Sequence, residues 1–104
     1  MVSYLRKFVL VGLFLSAPSF GADAGFEPAG GMVPNAETAV AIAVAVFKPI
    51  YGTENIENQR PFHAVLNNGV WHVYGSLPVN LLGGVAEAEL SRKDGRIIRV
   101  WHGK

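Results

Sequence analysis

Three stretches of the chain alternate regularly in side-chain character, and each predicts one element or one pair of elements. The first runs from Asn35 to Gly52, NAETAVAIAVAVFKPIYG. Between Ala39 and Val46 it reads Ala-Val-Ala-Ile-Ala-Val-Ala-Val. Strict alternation of large and small is a strand signal, but the flanks and the length favour a helix. Asn35 after Pro34 is an N-cap, and Glu37 sits in the first turn, where negative charge is favoured. Lys48 falls in the last turn, and Gly52 is a natural stop. Alanine is the best helix former, while the branched residues lower the propensity, so packing must hold this helix. Ala36, Val40, Ala43, Val44, Phe47 and Tyr51 share one face. Ile42 and Val46 lie a turn apart on the other side, so the helix is apolar on both sides and needs further cover. Pro49 removes a backbone donor and crowds the Ala45 carbonyl, so the last turn is expected to bend or end early.

The second stretch is RPFHAVLNNGVWHVYGSLP, Arg60 to Pro78. Asn68-Gly69 between β-rich runs predicts a hairpin with a two-residue loop. That loop pairs Asn67 with Val70, Leu66 with Trp71, Val65 with His72, Ala64 with Val73 and His63 with Tyr74. Phe62, Ala64, Leu66, Trp71 and Val73 then form the core face, and His63, Val65, His72 and Tyr74 the other. The third stretch is VAEAELSRKDGRIIRVWHGK, Val85 to Lys104. A two-residue Asp94-Gly95 loop sets Glu89 opposite Val100 and Leu90 opposite Arg99. A three-residue Lys93-Asp94-Gly95 loop, with Gly95 in the left-handed bulge position, pairs Leu90 with Ile98, Ala88 with Val100 and Glu89 with Arg99. The second register separates apolar from charged and is the one expected. It exposes Glu87, Glu89, Arg99 and Trp101, and turns His102 inward as a packing residue.

Gly52 to Gln59 (GTENIENQ) reads as a polar connection and Ser76 to Gly84 (SLPVNLLGG) as a loop. The architecture expected is α+β: one N-terminal helix on a curved antiparallel sheet of about four strands in two hairpins. The helix covers one sheet face. The other face keeps His63, Val65, His72, Tyr74, Glu87, Glu89, Arg99 and Trp101, an aromatic and charged composition typical of interfaces.

The first residues change the picture of where this domain works. Arg6 and Lys7 precede the short apolar run Phe8 to Leu15 (FVLVGLFL), and Ser16 to Gly21 offers small residues for cleavage after Ser19 or Gly21. This is the layout of a secretory signal peptide over residues 1–21, too short in its apolar part for a membrane span. The expected product is a bacterial periplasmic protein without stable membrane insertion. Ala22 to Val33 (ADAGFEPAGGMV) reads as a flexible arm, and 34–104 as a single domain. Without Arg6 and Lys7, seven basic residues face eight acidic ones. That balance argues against nucleic acid as a partner. The chain has no cysteine, so neither a lipid anchor on cysteine nor a disulfide staple is possible. A core this small must pack well or gain stability from a partner.

With these elements in place, the chain resembles the bacterial immunity proteins of the nuclear-transport-factor-2-like fold. The resemblance rests on the Ala-rich helix from Ala36, then Ile50-Tyr51-Gly52, Arg60-Pro61-Phe62, Gly69-Val70-Trp71 with Val73, Gly75-Ser76-Leu77-Pro78, Gly83-Gly84-Val85 with Ala86 and Ala88, and Asp94-Gly95. These motifs run in order over nearly all of the chain after the signal. The resemblance implies a shortened cone-like fold and a protein that neutralises a secreted toxin by binding it. It implies no catalysis.

The candidate chemistry agrees with binding more than with reaction. His63 and His72 lie diagonally on the open face, but a metal site needs further ligands at a spacing that is missing. Glu87 and Glu89 lie two apart on one strand face and could act as a carboxylate pair. Such a pair needs a deep pocket, and this chain has few elements to enclose one. Pairing of Glu89 with Arg99 across the exposed sheet is the simpler expectation. Serine-nucleophile, phosphate-loop and dinucleotide signatures are absent, so no cofactor is expected. Trp71 is assigned to the core, and Trp101 to either an interface anchor or a cover for the sheet edge. The reading is a periplasmic immunity protein whose open face and flanking loops, 52–59 and 76–84, occlude a cognate toxin. The alternatives are a small peptidase-inhibitor-like domain and a ligand-binding or catalytic cone.

Overall fold

The computed structural model describes residues 25–78 and 83–103. Residues 1–21, expected to be a signal peptide, lie outside the described residues, as do residues 79–82 of the second expected loop. Helix α1 spans Ala36–Tyr51 and helix α2 Thr53–Glu57. Strands β1 (His63–Asn67), β2 (Val70–Tyr74), β3 (Ala86–Ser91) and β4 (Ile97–His102) form an antiparallel sheet in the order β1-β2-β3-β4. The chain is thus α+β, with a helix on an open four-stranded sheet.

Helix α1 begins as its flanks predict. The Asn35 side-chain oxygen accepts from the Thr38 amide and the Thr38 hydroxyl, both at 2.8 Å. The Gly52 amide closes the other end on the Lys48 carbonyl at 2.8 Å. Pro49 does not end the helix early: it continues through Ile50 and Tyr51. Ala39, Ala43, Val44 and Phe47 are its buried residues, with Val40, Ile42 and Tyr51 partly buried against the core. Ala36, expected inside, is exposed, and Ala39 takes its place. The apolar stripe is therefore broader than one line, and Ile42 belongs to it.

Two segments expected to be irregular are built in. GTENIENQ is not a polar connection, because Thr53–Glu57 forms helix α2 and buries Ile56 completely. Gln59 just beyond it is also buried; its amide closes the helix end on the Ile56 carbonyl at 3.0 Å, and its other hydrogen bonds tie segments together. Its side-chain carbonyl accepts from the Ala86 amide at 2.8 Å, and its backbone carbonyl from the Ser76 amide at 2.7 Å. Its side-chain amide lies 3.2 Å from His102 Nε2. His102 Nδ1 lies 2.8 Å from the Gly103 carbonyl, so Nδ1 carries the proton and Nε2 accepts from Gln59. His102 also meets Tyr51 edge-on at 5.1 Å. It packs as expected on the inner side, although it remains exposed at the end of β4.

The arm expected to be flexible over 22–33 is docked at its far end. The Met32 amide donates to the Lys93 carbonyl at 2.9 Å and the Val33 amide to the Arg92 carbonyl at 3.0 Å. Val33 is fully buried, and its carbonyl accepts from the indole Nε1 of Trp71 at 2.8 Å. That bond satisfies the polar atom of a core tryptophan, which otherwise costs about 1–3 kcal/mol to bury. Trp71, Val73, Ala86, Ala88 and Leu90 complete the buried layer under α1. Leu66, expected in the core, lies beyond that cover and is exposed.

The register of β1 and β2 is the one expected from Asn68-Gly69, pair for pair. Asn68 at φ 51° and Gly69 at φ 79° give the turn its positive dihedrals. In the second hairpin Ala88 meets Val100 and Glu89 meets Arg99, as expected. Leu90, however, meets Ile97 and not Ile98, because the register shifts between Glu89 and Leu90. Ile97 takes the inner position and Ile98 is turned out, 43% exposed. The loop is therefore one residue longer than the three expected: the Ser91 amide donates to the Arg96 carbonyl at 2.9 Å and the Gly95 amide to the Ser91 carbonyl at 2.8 Å, which leaves Arg92 to Gly95 in the turn. Gly95 keeps the expected left-handed conformation, with φ 76°.

Candidate functional site

The pairing of β2 with β3 is the step that assembles the open face. Tyr74 stands opposite Glu87 and His72 opposite Glu89. Combined with the two hairpin registers, this sets His63, Tyr74, Glu87 and Trp101 side by side across the sheet. Val65, His72, Glu89 and Arg99 form the neighbouring row. All eight residues singled out in the sequence thus share one face, opposite the buried Val73 and Ala88.

Their side chains are organised by contact with one another. The His63 and Tyr74 rings lie 5.4 Å apart across the strands, and Tyr74 lies 5.4 Å from His72. His72 stacks on Trp101 at 5.7 Å and 14°. Arg99 places its guanidinium carbon 3.9 Å over the Trp101 ring, a cation–π arrangement. His72 Nε2 lies 2.7 Å from Glu87 Oε1. The result is a continuous aromatic ladder from edge strand to edge strand, with a cation at one end. This contact network explains why Tyr74, His72 and Trp101 are only half-exposed on a face that α1 does not cover.

The expected Glu89–Arg99 pair is not made. The two residues stand opposite each other, but Arg99 lies over Trp101, and among the described residues no ion pair reaches Glu89. The two histidines are joined through Tyr74 and not through a shared ligand. Among the described residues no group of three or more His, Cys, Asp or Glu could hold a metal ion. Glu87, half of the candidate carboxylate pair, is engaged by His72. Around it lies open sheet and not an enclosed chamber. An open groove of about 570 Å³ runs along the β1 edge, between Glu37 and Val40 of α1 and Phe62, His63, Val65 and Tyr74.

Sequence reasoning missed Val70 and Ile98 as members of this face. Val70 has the parity of His72 and Tyr74, so alternation alone could have found it. Ile98 reaches the face only through the bulge, for which the sequence carries no separate signal. Residues 53–57, expected to flank the face as a loop, belong to the helical layer with α1. No helix among the described residues is long and apolar enough to cross a membrane.

The chain is therefore a helix-on-sheet domain with one uncovered face of aromatic and charged side chains. The model of a family described as NTF2 fold immunity protein matches residues 38–104, and the chain belongs to that family. Membership supports a role in toxin immunity. The chain is also similar to the uncharacterized protein YhhH of Escherichia coli, with 31% identity over 74 residues. The match covers 70% of this chain and 58% of that protein, so the chain spans little more than half of its relative's length. No solved structure matches.

Proposed function

We propose that the protein is a periplasmic immunity protein, which binds a secreted bacterial toxin and neutralises it by covering it with the open sheet face. The observation that carries this reading is the assembly of eight aromatic, charged and apolar side chains into adjacent rows on a face that α1 leaves uncovered. Tyr, Trp and Arg are the side chains that most often anchor protein interfaces, and the face holds one of each. The ladder presents them already ordered, so binding them loses less side-chain entropy. No catalytic step is assigned to the face, because its carboxylates and histidines sit on open sheet without a chamber to exclude water. The basic and apolar runs of residues 6–15 support export to the periplasm.

The test takes the product of the adjacent gene as the candidate toxin, produces it in the periplasm of test cells and asks whether this protein protects them. The native protein is expected to protect and to co-purify with that toxin. A version lacking residues 1–21 is expected to bind in vitro but to leave the cells unprotected. Protection that is independent of those residues would sink the periplasmic assignment, and failure of the purified pair to bind would sink the occlusion mechanism.

A further inference from the structure

The open face has a second region towards the hairpin turns, beside the aromatic ladder. There Ile98, turned out by the bulge, lines a cup of about 350 Å³ with Val65, Asn67, Val70, His72 and Glu89. A bulge re-aims a side chain at a local cost in ladder hydrogen bonding, and such bulges recur beside functional sites. In regular pairing Ile98 would face the core; here Ile97 fills that place and Ile98 walls the cup.

The walls and the charge of the cup limit what fits. Val65, Val70 and Ile98 offer branched aliphatic surface. The other charges of the face are engaged, Glu87 by His72 at 2.7 Å and Arg99 by Trp101 at 3.9 Å. Glu89 is the carboxylate of the face without an ion pair among the described residues. A purely apolar side chain seated here would cover an unpaired carboxylate and suffer its desolvation. A short polar side chain would leave the aliphatic walls wet. A side chain with a long methylene stem and a cationic head satisfies both, the stem against the walls and the head on the carboxylate.

We propose that this cup receives a lysine or arginine side chain of the bound toxin, with Glu89 as its counter-charge and Val65, Val70 and Ile98 around its stem. The proposal rests on the reading that the open face binds the toxin. It makes Glu89 and Ile98 specificity determinants: the first selects a cation, the second a stem of the right length. Arg99 does not compete while it is held over Trp101.

Two measurements on the purified exported protein test this. In the first, N-acetyl-arginine methylamide is titrated while backbone amide resonances are followed, with N-acetyl-leucine methylamide as the uncharged comparison. The arginine probe is expected to shift Val65, Val70, Glu89 and Ile98 saturably, with an affinity in the millimolar range, and Glu89→Gln is expected to abolish the response. No saturable shift, an equal response to the leucine probe, or an arginine response that survives Glu89→Gln would overturn the proposal. In the second, affinity is measured for the purified toxin against which the protein protects cells. Glu89→Gln is expected to weaken it about tenfold or more and to flatten its salt dependence, with a smaller loss for Ile98→Ala. If Trp101→Ala weakens toxin binding but Glu89→Gln does not, the cup is not used and the face reading stands. If neither variant changes the affinity, this proposal and the face reading fall together, whatever the probe does.

Discussion

Glu57 shows at the scale of one residue how the helical layer is fastened. Its carboxylate accepts from Arg60 at 2.7 and 3.1 Å and meets Lys48 of α1 at 2.7 Å. Arg60 first, and then Lys48, hold its pKa at about 2, well under the usual 4.5. A carboxyl whose folded pKa is depressed stabilises the fold above its unfolded pKa and loses that contribution as pH falls through the folded one. The group is exposed, so the contribution is small. Glu57→Gln is therefore expected to lower the melting temperature at neutral pH, with the gap to the native protein closing as pH falls from 4.5 to about 2. A gap that does not change with pH would show that the variant acts through packing. Gly95 gives a second residue-scale expectation. At φ 76° a β-branched side chain is strained by about 1–3 kcal/mol, and the added Cβ would stand 3.4 Å from Val33 Cγ2. Gly95→Val should lower the melting temperature clearly more than Lys93→Ala in the same loop, and equal small effects would refute the strain argument.

At the scale of elements, what could be read from the sequence follows from how local each signal is. Helix α1 and both hairpins are specified by caps, turns and alternation within a few residues, and the structure has them in place. The membership of the eight-residue face followed from parity along four strands, so it was legible too. How the hairpins meet was not, because the offset between β2 and β3 depends on contacts distant in sequence. Helix α2 was missed because Ile56 is a single apolar residue in a polar run, and its burial under α1 is a tertiary fact. The bulge at Ile97–Ile98 was missed because two adjacent isoleucines satisfy either register. The docking of residues 31–33 was hidden in the same way, since its hydrogen bonds go to the distant turn at Arg92–Lys93. That docking makes a prediction. Trp71→Phe keeps most of the ring volume but removes the indole donor to the Val33 carbonyl. It leaves the buried Val33 carbonyl without its donor, so it is expected to cost about 1–3 kcal/mol of stability and to raise hydrogen exchange at the Met32 and Val33 amides. Unchanged exchange at those amides would mean that the burial of Val33 alone holds the segment.

For the whole molecule, the decisive feature is that one sheet carries a buried face and an uncovered one, and three aromatic residues distinguish them. Trp71 lies in the layer under α1, only 6% exposed. Tyr74 and Trp101 lie on the other face, within the ladder through His72. Removing Trp71 leaves a cavity in a small core and is expected to cost about 3–5 kcal/mol, a large share of the roughly 5–15 kcal/mol that holds a domain together. Removing Tyr74 or Trp101 leaves no cavity. Each loses cross-strand contacts worth about 0.2–1 kcal/mol per pair, which the fold can bear. In binding the order reverses: truncating a central aromatic anchor costs about 2 kcal/mol or more, near a thirtyfold loss of affinity. Tyr74→Ala and Trp101→Ala are thus expected to melt close to the native protein and to bind the toxin far more weakly. Trp71→Ala is expected to unfold or nearly so. Melting temperature, toxin affinity and survival of toxin-challenged cells, measured for the three variants, separate the possible outcomes. Unfolding of the open-face variants together with a stable Trp71 variant would invert the assignment of the faces. Folded open-face variants that bind and protect as well as the native protein would overturn the proposal that the open face is the binding surface.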